Sequence, residues 1–364
     1  MAVTGARTRL PPSTFRLPTE KIRSGYYSDV YFNLTKELLE SENRHPHVTM
    51  QAFQKEHSVL GGIDEAVAVL KLCSGRLVDG RWKRGFKELE VRALYEGNEI
   101  EPYEPVLEIT GDYSLFAHLE TVYLGCMARR TKVMRNVRAV VRAAAGKPIL
   151  FFPARHDHWL VQTGDGWAAH VAGAIGVSTD AQASWWGGRG VGTVPHGLIA
   201  SYGGDTVAAA RAFADRFAGE MNVTVLVDFV NDSVTTALEV AEALGDRLWG
   251  IRLDTAETLV DRSLVERMGT FRPTGVNPEL VRLVREALDA AGHGDVRIVC
   301  SGGFDERKIA DFEAGGAPVD AYGVGSSLLR GHNDFTADVV LLDGRPCAKA
   351  GRGYRANAAL EPVT

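Results

Sequence analysis

The second half of the chain alternates short, continuous apolar runs with amphipathic segments. Each apolar run has the length of a strand, and five of them occupy 149–152, 223–227, 249–253, 296–300 and 320–325. Continuous apolar strands separated by helices are typical of parallel βαβ units whose sheet is buried on both faces. The pattern predicts an α/β fold with an irregular TIM-like (β/α) barrel of fewer than eight units. An open doubly wound sheet is the alternative, disfavoured because no G-x-G-x-x-G follows the first strand.

The first half of the chain has a different pattern. Residues 48–53 alternate as a strand does, 64–73 have apolar residues at helical spacing, and 89–109 return to alternation. Pro102 and Pro105 indicate that the last of these β runs lies at a sheet edge or in a bulged strand. The mixture predicts a smaller α/β sandwich ahead of the barrel.

The change of pattern also predicts the domain organisation. The predicted segments are, in order, a flexible tail, the N-terminal α/β sandwich, the barrel, and a C-terminal segment that packs back on the N-terminal domain. Their ranges are 1–16, 17–125, 126–335 and 336–364.

Composition then narrows the functional classes. With 364 residues and a formal net charge of -5, the chain lacks the basic field through which proteins bind nucleic acid. Its four cysteines are far apart in sequence, so neither a disulfide framework nor a cysteine zinc site is expected. We find neither a signal-peptide pattern nor an apolar run of membrane-spanning length. The expectation is a cytoplasmic globular enzyme with no nucleic-acid or membrane partner.

Polar or glycine residues follow each of the predicted barrel strands. Barrel enzymes build their sites at the carboxyl ends of the strands. One polar residue in such a place is usually a cap or turn residue, but five successive strand ends indicate a site. The residues concerned are Arg155, Asp228, Arg252, Asp254, Ser301, Gly302, Gly303, Gly323, Gly325 and Ser326.

The two glycine turns, 301–303 and 323–326, predict a binding site for a sugar phosphate. Backbone N–H groups of such turns after late barrel strands can close on a phosphate. Asp228 and Asp254 would face the same pocket, where a carboxylate can hold ribose hydroxyls, bind Mg²⁺ or stabilise a developing positive charge. The residue types leave these three roles open.

A further candidate is His196, in the glycine-bounded stretch 192–197 ahead of a predicted helix at Thr206–Phe217. The flanking glycines predict a pliable turn, on which an imidazole can meet a ligand. Taken alone, a loop histidine that bonds to its own backbone is the simpler interpretation.

Short motifs spread over about 29–329 form a set whose order and spacing carry more information than any one of them. They are Asp29-Val30-Tyr31, the stretch 102–111, Leu119-Glu120-Thr121, Phe152-Pro153-Ala154-Arg155, the stretch 192–196, Val227-Asp228, the stretch 251–255, Ser301-Gly302-Gly303 and Gly323-Val324-Gly325. Together they resemble the nicotinate phosphoribosyltransferases, which have the type II phosphoribosyltransferase fold.

The resemblance implies a reaction and its substrates. Nicotinate would attack the anomeric carbon of phosphoribosyl pyrophosphate, giving nicotinate mononucleotide and pyrophosphate, with Mg²⁺ on the pyrophosphate. ATP hydrolysis would be coupled to this transfer through a phosphorylated histidine, and His196 stands at that motif position. Neutral imidazole is a competent nucleophile for such a step.

The resemblance also implies roles for the substrate-binding residues. Tyr31 and Phe152 would sandwich the pyridine ring, and Arg155 would pair with the nicotinate carboxylate. Ser178 and Thr179 stand where the family discriminates acid from amide substrates. Asp228 and Asp254 would bind the ribose, Arg252 the phosphates, and the two glycine turns the 5′-phosphate. The resemblance further implies a homodimer or larger assembly, in which Asp29 and Tyr31 lie across a subunit interface.

The chain departs from the family pattern after Arg155. His156-Asp157-His158-Trp159 follows, where many relatives have a second arginine or a proline-bearing turn. The two histidines resemble a metal pair, but two-residue spacing in a loop without a third ligand is a weak metal signal. The segment after 333 has only Cys347, so the cysteine-rich zinc knob of some relatives is not expected.

Alternatives to nicotinate transfer stay open at this point. The same transfer could use quinolinate or nicotinamide as the acceptor. A phosphate-binding barrel that isomerises or oxidises its substrate, with a flavin mononucleotide as one option, belongs to a different enzyme class. A non-catalytic nucleotide-binding relative is a further alternative, suggested by the altered neighbourhood of Arg155.

Overall fold

The computed structural model describes residues 8–364. The chain divides into two compact units. The first consists of Met1–Arg135 and Gly331–Thr364, and the second of Asn136–Arg330. The predicted limits at 126 and 335 fall inside a helix, Glu120–Ala143, and at the first residue of a strand, Phe335–Leu342.

The first unit is built on a six-stranded antiparallel sheet. Its central strand, His47–Gln54, pairs on one side with Leu107–Asp112 and on the other with Phe335–Leu342. The further strands of the sheet are Glu90–Ala93, Arg345–Pro346 and Glu361–Pro362, and two small hairpins consist of Ser58–Val59 with Glu99–Ile100 and Gly75–Val78 with Arg81–Arg84. The helices described in this unit are Thr19–Arg23, Val30–Ser41, Ile63–Cys73 and the first part of Glu120–Ala143.

The helix Ile63–Cys73 shows why this unit has a core of its own. Its apolar residues recur at helical spacing, and Ile63, Ala66, Val67 and Leu70 are buried. They pack in one cluster with apolar residues of the sheet. Burial of this extent stabilises the helix far more than its own propensity does.

Two expectations for the first unit need correction. A flexible tail was predicted for residues 1–16, of which 1–7 lie outside the described residues. Residues 8–16 are instead attached to the first unit. The Arg9 side chain and the Leu10 N–H both bond to the Asp64 carboxylate at 2.9 Å. The run after Pro102 and Pro105 is no edge strand, because Leu107–Asp112 lies between two partners in the sheet. Both prolines precede its first residue and therefore remove no ladder hydrogen bond.

The second unit contains six parallel strands. In chain order they are Ile149–Phe151, Gly176–Val177, Val223–Leu226, Leu248–Leu253, Arg297–Cys300 and Ala321–Val324. All five pairings between them are parallel, and the spatial order begins at the third strand, runs to the sixth, and continues with the first and second. This is the cyclic order of a barrel opened between its second and third strands, without the order reversal of a doubly wound sheet. The predicted α/β class and irregular barrel are confirmed.

Helices connect the strands of the second unit, and side-chain caps set where several of them begin. Asp205, Asp232, Asn277 and Asp305 each accept a backbone N–H of the first turn that follows. The helices are Gln162–Ala172, Asp180–Ala183, His196–Ser201, Thr206–Phe217, Ser233–Leu244, Pro278–Ala290 and Glu306–Ala314. The parallel pairing brings the carboxyl ends of all six strands to one edge.

Candidate active site

A cleft of about 620 Å³ lies at the carboxyl edge of the parallel sheet. It is lined by residues at the last positions of the strands or directly after them, together with the segment before His196. The predicted site residues among its lining are Phe152, Arg155, Ser178, Thr179, His196, Arg252, Asp254, Ser301, Gly302, Gly303, Gly323, Gly325 and Ser326. The structure therefore brings together residues that are up to about half the chain apart in sequence.

His196 is held by a carboxylate at the next strand end. Its Nε2 lies 2.9 Å from Oδ1 of Asp228, whose side chain is almost fully buried, whereas 42% of the His196 side chain is exposed. The hydrogen bond to Asp228 raises the pKa of His196, and the negative charges of Asp228 and Asp254 add to this against partial burial and Arg252. His196 is the first residue of a short helix, His196–Ser201. The prediction that this histidine lies in a pliable turn is therefore wrong.

Arg252 is the centre of a closed polar network. Its Nε donates to Ser301 Oγ at 2.7 Å, one terminal nitrogen lies 3.3 Å from Thr193 Oγ1, and the other lies 3.4 Å from Asp254 Oδ2. The guanidinium carbon also lies 5.2 Å from the centre of the Phe152 ring. Ser301 Oγ bonds in turn to Asp254 Oδ1 at 2.7 Å. The network fixes two neighbouring strand ends relative to each other.

In each glycine turn, backbone conformation or close packing requires a residue without a Cβ atom. Gly302 and Gly303 have φ of +86° and +67°, and a Cβ on Gly303 would collide with the Glu257 carboxylate. A Cβ on Gly323 would lie 2.7 Å from Cε2 of Phe152, so this glycine lets the aromatic ring lie against the strand. The glycines therefore allow Glu257 and Phe152 to lie close against the two turns.

The segment after the first strand presents Arg155 to the cleft. It forms a short 3₁₀ turn, Ala154–His156, and the Arg155 side chain is exposed. Within residues 8–364 that guanidinium has no hydrogen bond or ion pair. A planar, unpaired guanidinium in a cleft is suited to a carboxylate.

Ser178 and Thr179 line the cleft but are bonded within the protein. Both backbone N–H groups and the Ser178 hydroxyl bond to Oε1 of Gln182, at 3.0–3.2 Å. The Thr179 hydroxyl donates to Oε1 of Gln162, whose amide reaches the Ala154 carbonyl. Ser178 and Thr179 thus belong to a chain of hydrogen bonds that ends beside Arg155.

Asp29 and Tyr31 belong to the first unit. The Asp29 carboxylate accepts from Thr121 Oγ1 at 2.7 Å, and the Thr121 oxygen accepts the Asp29 N–H at 3.0 Å. Tyr31 is 60% exposed at the start of the helix Val30–Ser41. Burial, with the charges of Asp338 and Asp29, raises the pKa of the nearby Glu120 to about 8.

Asp228 lines a smaller cavity of about 270 Å³, which shares His196 and Asp254 with the main cleft. Thr255 Oγ1 and Asn231 Oδ1 also belong to residues that line it, and both atoms are buried without a hydrogen-bond partner in the described chain. Four oxygen-bearing side chains therefore surround this cavity.

Another cleft of the second unit, about 740 Å³, is not where the predicted residues gather. Of these residues it contains only Gly303. Its charges balance, with Arg272, Arg282, Arg307 and Lys308 against Glu257, Glu279, Asp305 and Asp311. The cleft of about 620 Å³ contains most of the predicted site residues, so we place the candidate site there.

Several residues of the site were not predicted. Thr193 supports Arg252, Gln162 and Gln182 support the Ser178–Thr179 segment, and His156 and Arg330 line the cleft. Two of these five had a sequence signal: Thr193 lies in the motif stretch 192–196, and His156 directly follows Arg155. Within residues 8–364, no group of three or more histidine, cysteine, aspartate or glutamate side chains has the arrangement of a metal centre. No helix in this part of the chain is long and apolar enough to cross a membrane.

Comparison with known proteins identifies the family. Residues 29–131 match the family described as the N-terminal domain of quinolinate phosphoribosyl transferase. Nicotinate phosphoribosyltransferase pncB1 of Mycobacterium tuberculosis is 33% identical over 269 residues, which cover 71% of this chain and 55% of that protein. The crystal structure of nicotinate-nucleotide pyrophosphorylase from Pyrococcus furiosus superposes with a TM-score of 0.78 and 32% identity, over 95% of this chain and 85% of that one. The chain belongs to the nicotinate phosphoribosyltransferase family.

Membership of the nicotinate phosphoribosyltransferase family agrees with the resemblance found in the sequence motifs. Human nicotinic acid phosphoribosyltransferase shares the fold, with a TM-score of 0.65 and 18% identity over 90% of this chain and 77% of that one. The chain spans about half the length of the curated relatives it matches.

Proposed function

We propose that this protein transfers the 5-phosphoribosyl group of phosphoribosyl pyrophosphate to nicotinate and couples the transfer to ATP hydrolysis. The observation that carries the proposal is the content of one cleft: an unpaired Arg155, the Phe152 ring, the carboxylate Asp254 and two glycine turns, with His196 bonded to Asp228 at its edge. Family membership supports the phosphoribosyl transfer.

The acceptor would bind between Phe152 and Arg155. The Phe152 ring offers an apolar face for a pyridine ring, and the Arg155 guanidinium offers two parallel N–H groups to a carboxylate. Nicotinamide has no carboxylate to pair with Arg155, so this arrangement favours the acid over the amide.

The reacting sugar would lie beside Asp254 and Asp228. As the pyridine nitrogen forms its bond to the anomeric carbon, the bond to pyrophosphate breaks and the ribose takes on positive character. Carboxylates already held in place, Asp254 by Arg252 and Ser301, stabilise that charge without reorganising.

His196 would carry the phosphoryl group of ATP. An ionised carboxylate only accepts hydrogen bonds, so Asp228 selects the tautomer with the proton on Nε2 and the lone pair on Nδ1. Nδ1 then attacks the γ-phosphorus, the N–P bond forms, and the bond to the leaving ADP oxygen breaks. Water later accepts the phosphoryl group and releases inorganic phosphate, which completes ATP hydrolysis.

The oxygen-lined cavity beside His196 fits Mg²⁺. Asp228, Asp254, Thr255 and Asn231 would supply oxygen ligands, the type that this ion prefers, and the last two have buried oxygens in need of a partner. The ion would neutralise charge on the pyrophosphate and make it a better leaving group.

A second subunit would complete the site through Asp29 and Tyr31. The helix Val30–Ser41 has no buried residue, and Val30, Leu34 and Leu38 form an apolar stripe at four-residue spacing that is 57–69% exposed. An exposed stripe of this kind is typical of a surface that binds another chain. We place the dimer interface there.

Pyrophosphate release tests the proposal. We expect release from phosphoribosyl pyrophosphate with nicotinate as the acceptor, faster with ATP than without it, and little release with nicotinamide. With γ-labelled ATP, His196→Ala should incorporate no label, whereas His158→Ala, two residues from the cleft-lining His156, should label as the wild type does. Release with none of the acceptors would reject the proposed transfer, and label on His196→Ala would reject the phosphohistidine.

Quinolinate is the second candidate acceptor. It is favoured by the match of residues 29–131 to the N-terminal domain of quinolinate phosphoribosyl transferase. Including it in the same assay decides between the two acids, because turnover of quinolinate would also release carbon dioxide.

A further inference from the structure

Two segments that line the cleft follow neighbouring strands of the parallel sheet. The turn Ala154–His156, which contains Arg155, follows the strand Ile149–Phe151, and the pair Ser178–Thr179 follows the strand Gly176–Val177. The two strands pair in parallel, so both segments leave the sheet at its carboxyl edge. Beyond the strand ends, the spacing of the two segments depends on the side chains that join them.

The Gln162 side chain joins the two segments. Its Nε2 group donates to the Ala154 carbonyl at 3.3 Å, and its Oε1 atom accepts a hydrogen bond from the Thr179 hydroxyl at 2.9 Å. Gln162 is the first residue of the helix Gln162–Ala172 and lies behind the residues that line the cleft. One amide thus uses its donor on one segment and its acceptor on the other.

The Thr179 end of this bridge is firmly held. Thr179 Oγ1 accepts the Gln182 N–H at 3.1 Å, and Gln182 Oε1 accepts the Thr179 N–H at 3.2 Å. These reciprocal bonds form a capping box at the start of the helix Asp180–Ala183. Gln182 is only 1% exposed. Gln162 is therefore bonded to a fixed point on this side.

The Arg155 end of the bridge depends on the backbone. In the described part of the chain the Arg155 guanidinium has neither hydrogen bond nor ion pair, so no side-chain contact aims it. Its turn is held by the His156 N–H, which bonds to the Pro153 carbonyl at 2.8 Å, and by Gln162 at the Ala154 carbonyl. A bidentate pair of guanidinium and carboxylate needs a defined geometry, so an acid ligand depends on this tie.

We propose that Gln162 is a positioning residue that sets the preference of the cleft for an acid over an amide. It would do so by holding the Arg155 turn at a fixed distance from Ser178–Thr179. The inference rests on the proposed function, in which Arg155 pairs with the carboxylate of the acceptor. An amide forms no ion pair with Arg155, so loss of the bridge weakens binding of the acid selectively.

Calorimetric binding of nicotinate mononucleotide and nicotinamide mononucleotide to the full chain tests this without turnover. In Gln162→Ala the affinity for the acid should fall about 3- to 10-fold, the effect of losing one hydrogen bond, while the affinity for the amide changes by less than about twofold. Gln162→Glu should behave alike, because an ionised carboxylate cannot donate to the Ala154 carbonyl. The control is Thr163→Ala, which removes a polar side chain from the next position of the same helix, outside the cleft, and should bind as the wild type does.

A double-mutant cycle tests whether Gln162 acts through Thr179. Thr179→Val removes the hydroxyl at nearly constant shape, and Thr179→Ser keeps it and should retain the preference for the acid. Once Gln162→Ala is present, adding Thr179→Val should cost little further preference, since both changes break the same bond. The lost cap of the helix Asp180–Ala183 occurs in both backgrounds and cancels in the cycle.

Kinetics provide the second readout. KM for nicotinate should rise in Gln162→Ala by the factor found for the acid, while KM for phosphoribosyl pyrophosphate and the labelling of His196 stay within about twofold of the wild type. Equal losses for acid and amide, or additive losses in the cycle, would show a merely structural role and overturn the inference. If the wild type binds acid and amide equally, the proposed preference fails and the inference falls with it. A wild type that prefers the acid, with Gln162→Ala unchanged, contradicts the inference alone.

Discussion

At the scale of the residue, the role of a side chain follows from what it already binds. Arg252 and Arg155 are both arginines at strand ends, but three polar partners hold Arg252 and none holds Arg155. The first can position its neighbours, and the second can bind a ligand without breaking an internal pair. His196 differs again, because the hydrogen bond to Asp228 favours the tautomer with the proton on Nε2 and is the largest cause of its raised pKa.

The pH dependence of phosphoenzyme formation should report the pair of His196 and Asp228. Only the neutral imidazole has a lone pair on Nδ1, so the initial rate of labelling by γ-labelled ATP should rise with pH through the pKa of His196. Because Asp228 raises that pKa, Asp228→Asn should move the rising limb to lower pH. Identical midpoints in the two proteins would show that Asp228 does not control the imidazole.

The same shift has a consequence for stability. A histidine whose pKa is higher in the folded than in the unfolded state stabilises the fold at pH below its unfolded pKa. That contribution is lost as the pH rises through the folded pKa. Since 42% of the His196 side chain is exposed, solvent screens the effect and keeps it small.

At the scale of the element, close approach decides the local geometry of the site. The helix Gln162–Ala172 contacts the short helix Asp180–Ala183 through Gly166, where a Cβ would collide with the backbone of Gln182. Gln182 in turn holds both Ser178 and Thr179. A glycine outside the cleft therefore supports two residues that line it.

Gly166→Ala tests this dependence. We expect it to lower the free energy of unfolding by about 1–3 kcal/mol, the cost of overpacking, and to weaken nicotinate binding because the Ser178–Thr179 segment shifts. Gly125→Ala is the matched control, since Gly125 also lies inside a helix but has no atom within 4 Å of an added Cβ. That control should gain about 0.5–1 kcal/mol from helix propensity. Chemical denaturation of both variants measures the difference, and equal stabilities would refute the contact.

At the scale of the whole molecule, the proposed assembly makes activity depend on two chains. The apolar stripe of the helix Val30–Ser41 and the exposed Tyr31 are in the first unit, and the cleft residues belong to the second. If Tyr31 serves a neighbouring chain, each site of a twofold dimer takes residues from both copies.

Subunit complementation checks this arrangement. Tyr31→Ala and Arg155→Ala should each have low activity alone, and mixing them after reversible dissociation should restore about a quarter of the wild-type activity, because mixed dimers have one site with both native residues. Leu34→Glu should give a monomer in light scattering. Leu77→Glu, at a leucine of similar exposure on the strand Gly75–Val78, should not. No recovery on mixing, or a monomeric wild type, would refute a shared site.

The sequence by itself determined the class of fold and the residues of the strand ends. Continuous apolar runs predict buried parallel strands, and the carboxyl ends of such strands must share an edge, so Asp228, Asp254 and Ser301 could be assigned to one site. The confirmed α/β class and family rest on such local patterns. Local patterns did not predict that Leu107–Asp112 lies between two other strands of the antiparallel sheet, because strand pairing depends on residues far away in sequence.

Only the tertiary structure decided which charges are paired. Arg252 meets Thr193 and Ser301 across 59 and 49 residues of sequence, and His156 meets Gly325 across a still longer separation. Hydrogen bonds act over about 3 Å in space, whatever the separation along the chain, so no spacing rule predicts them. The unpaired Arg155 and the pair of His196 with Asp228 became visible only when the chain was folded.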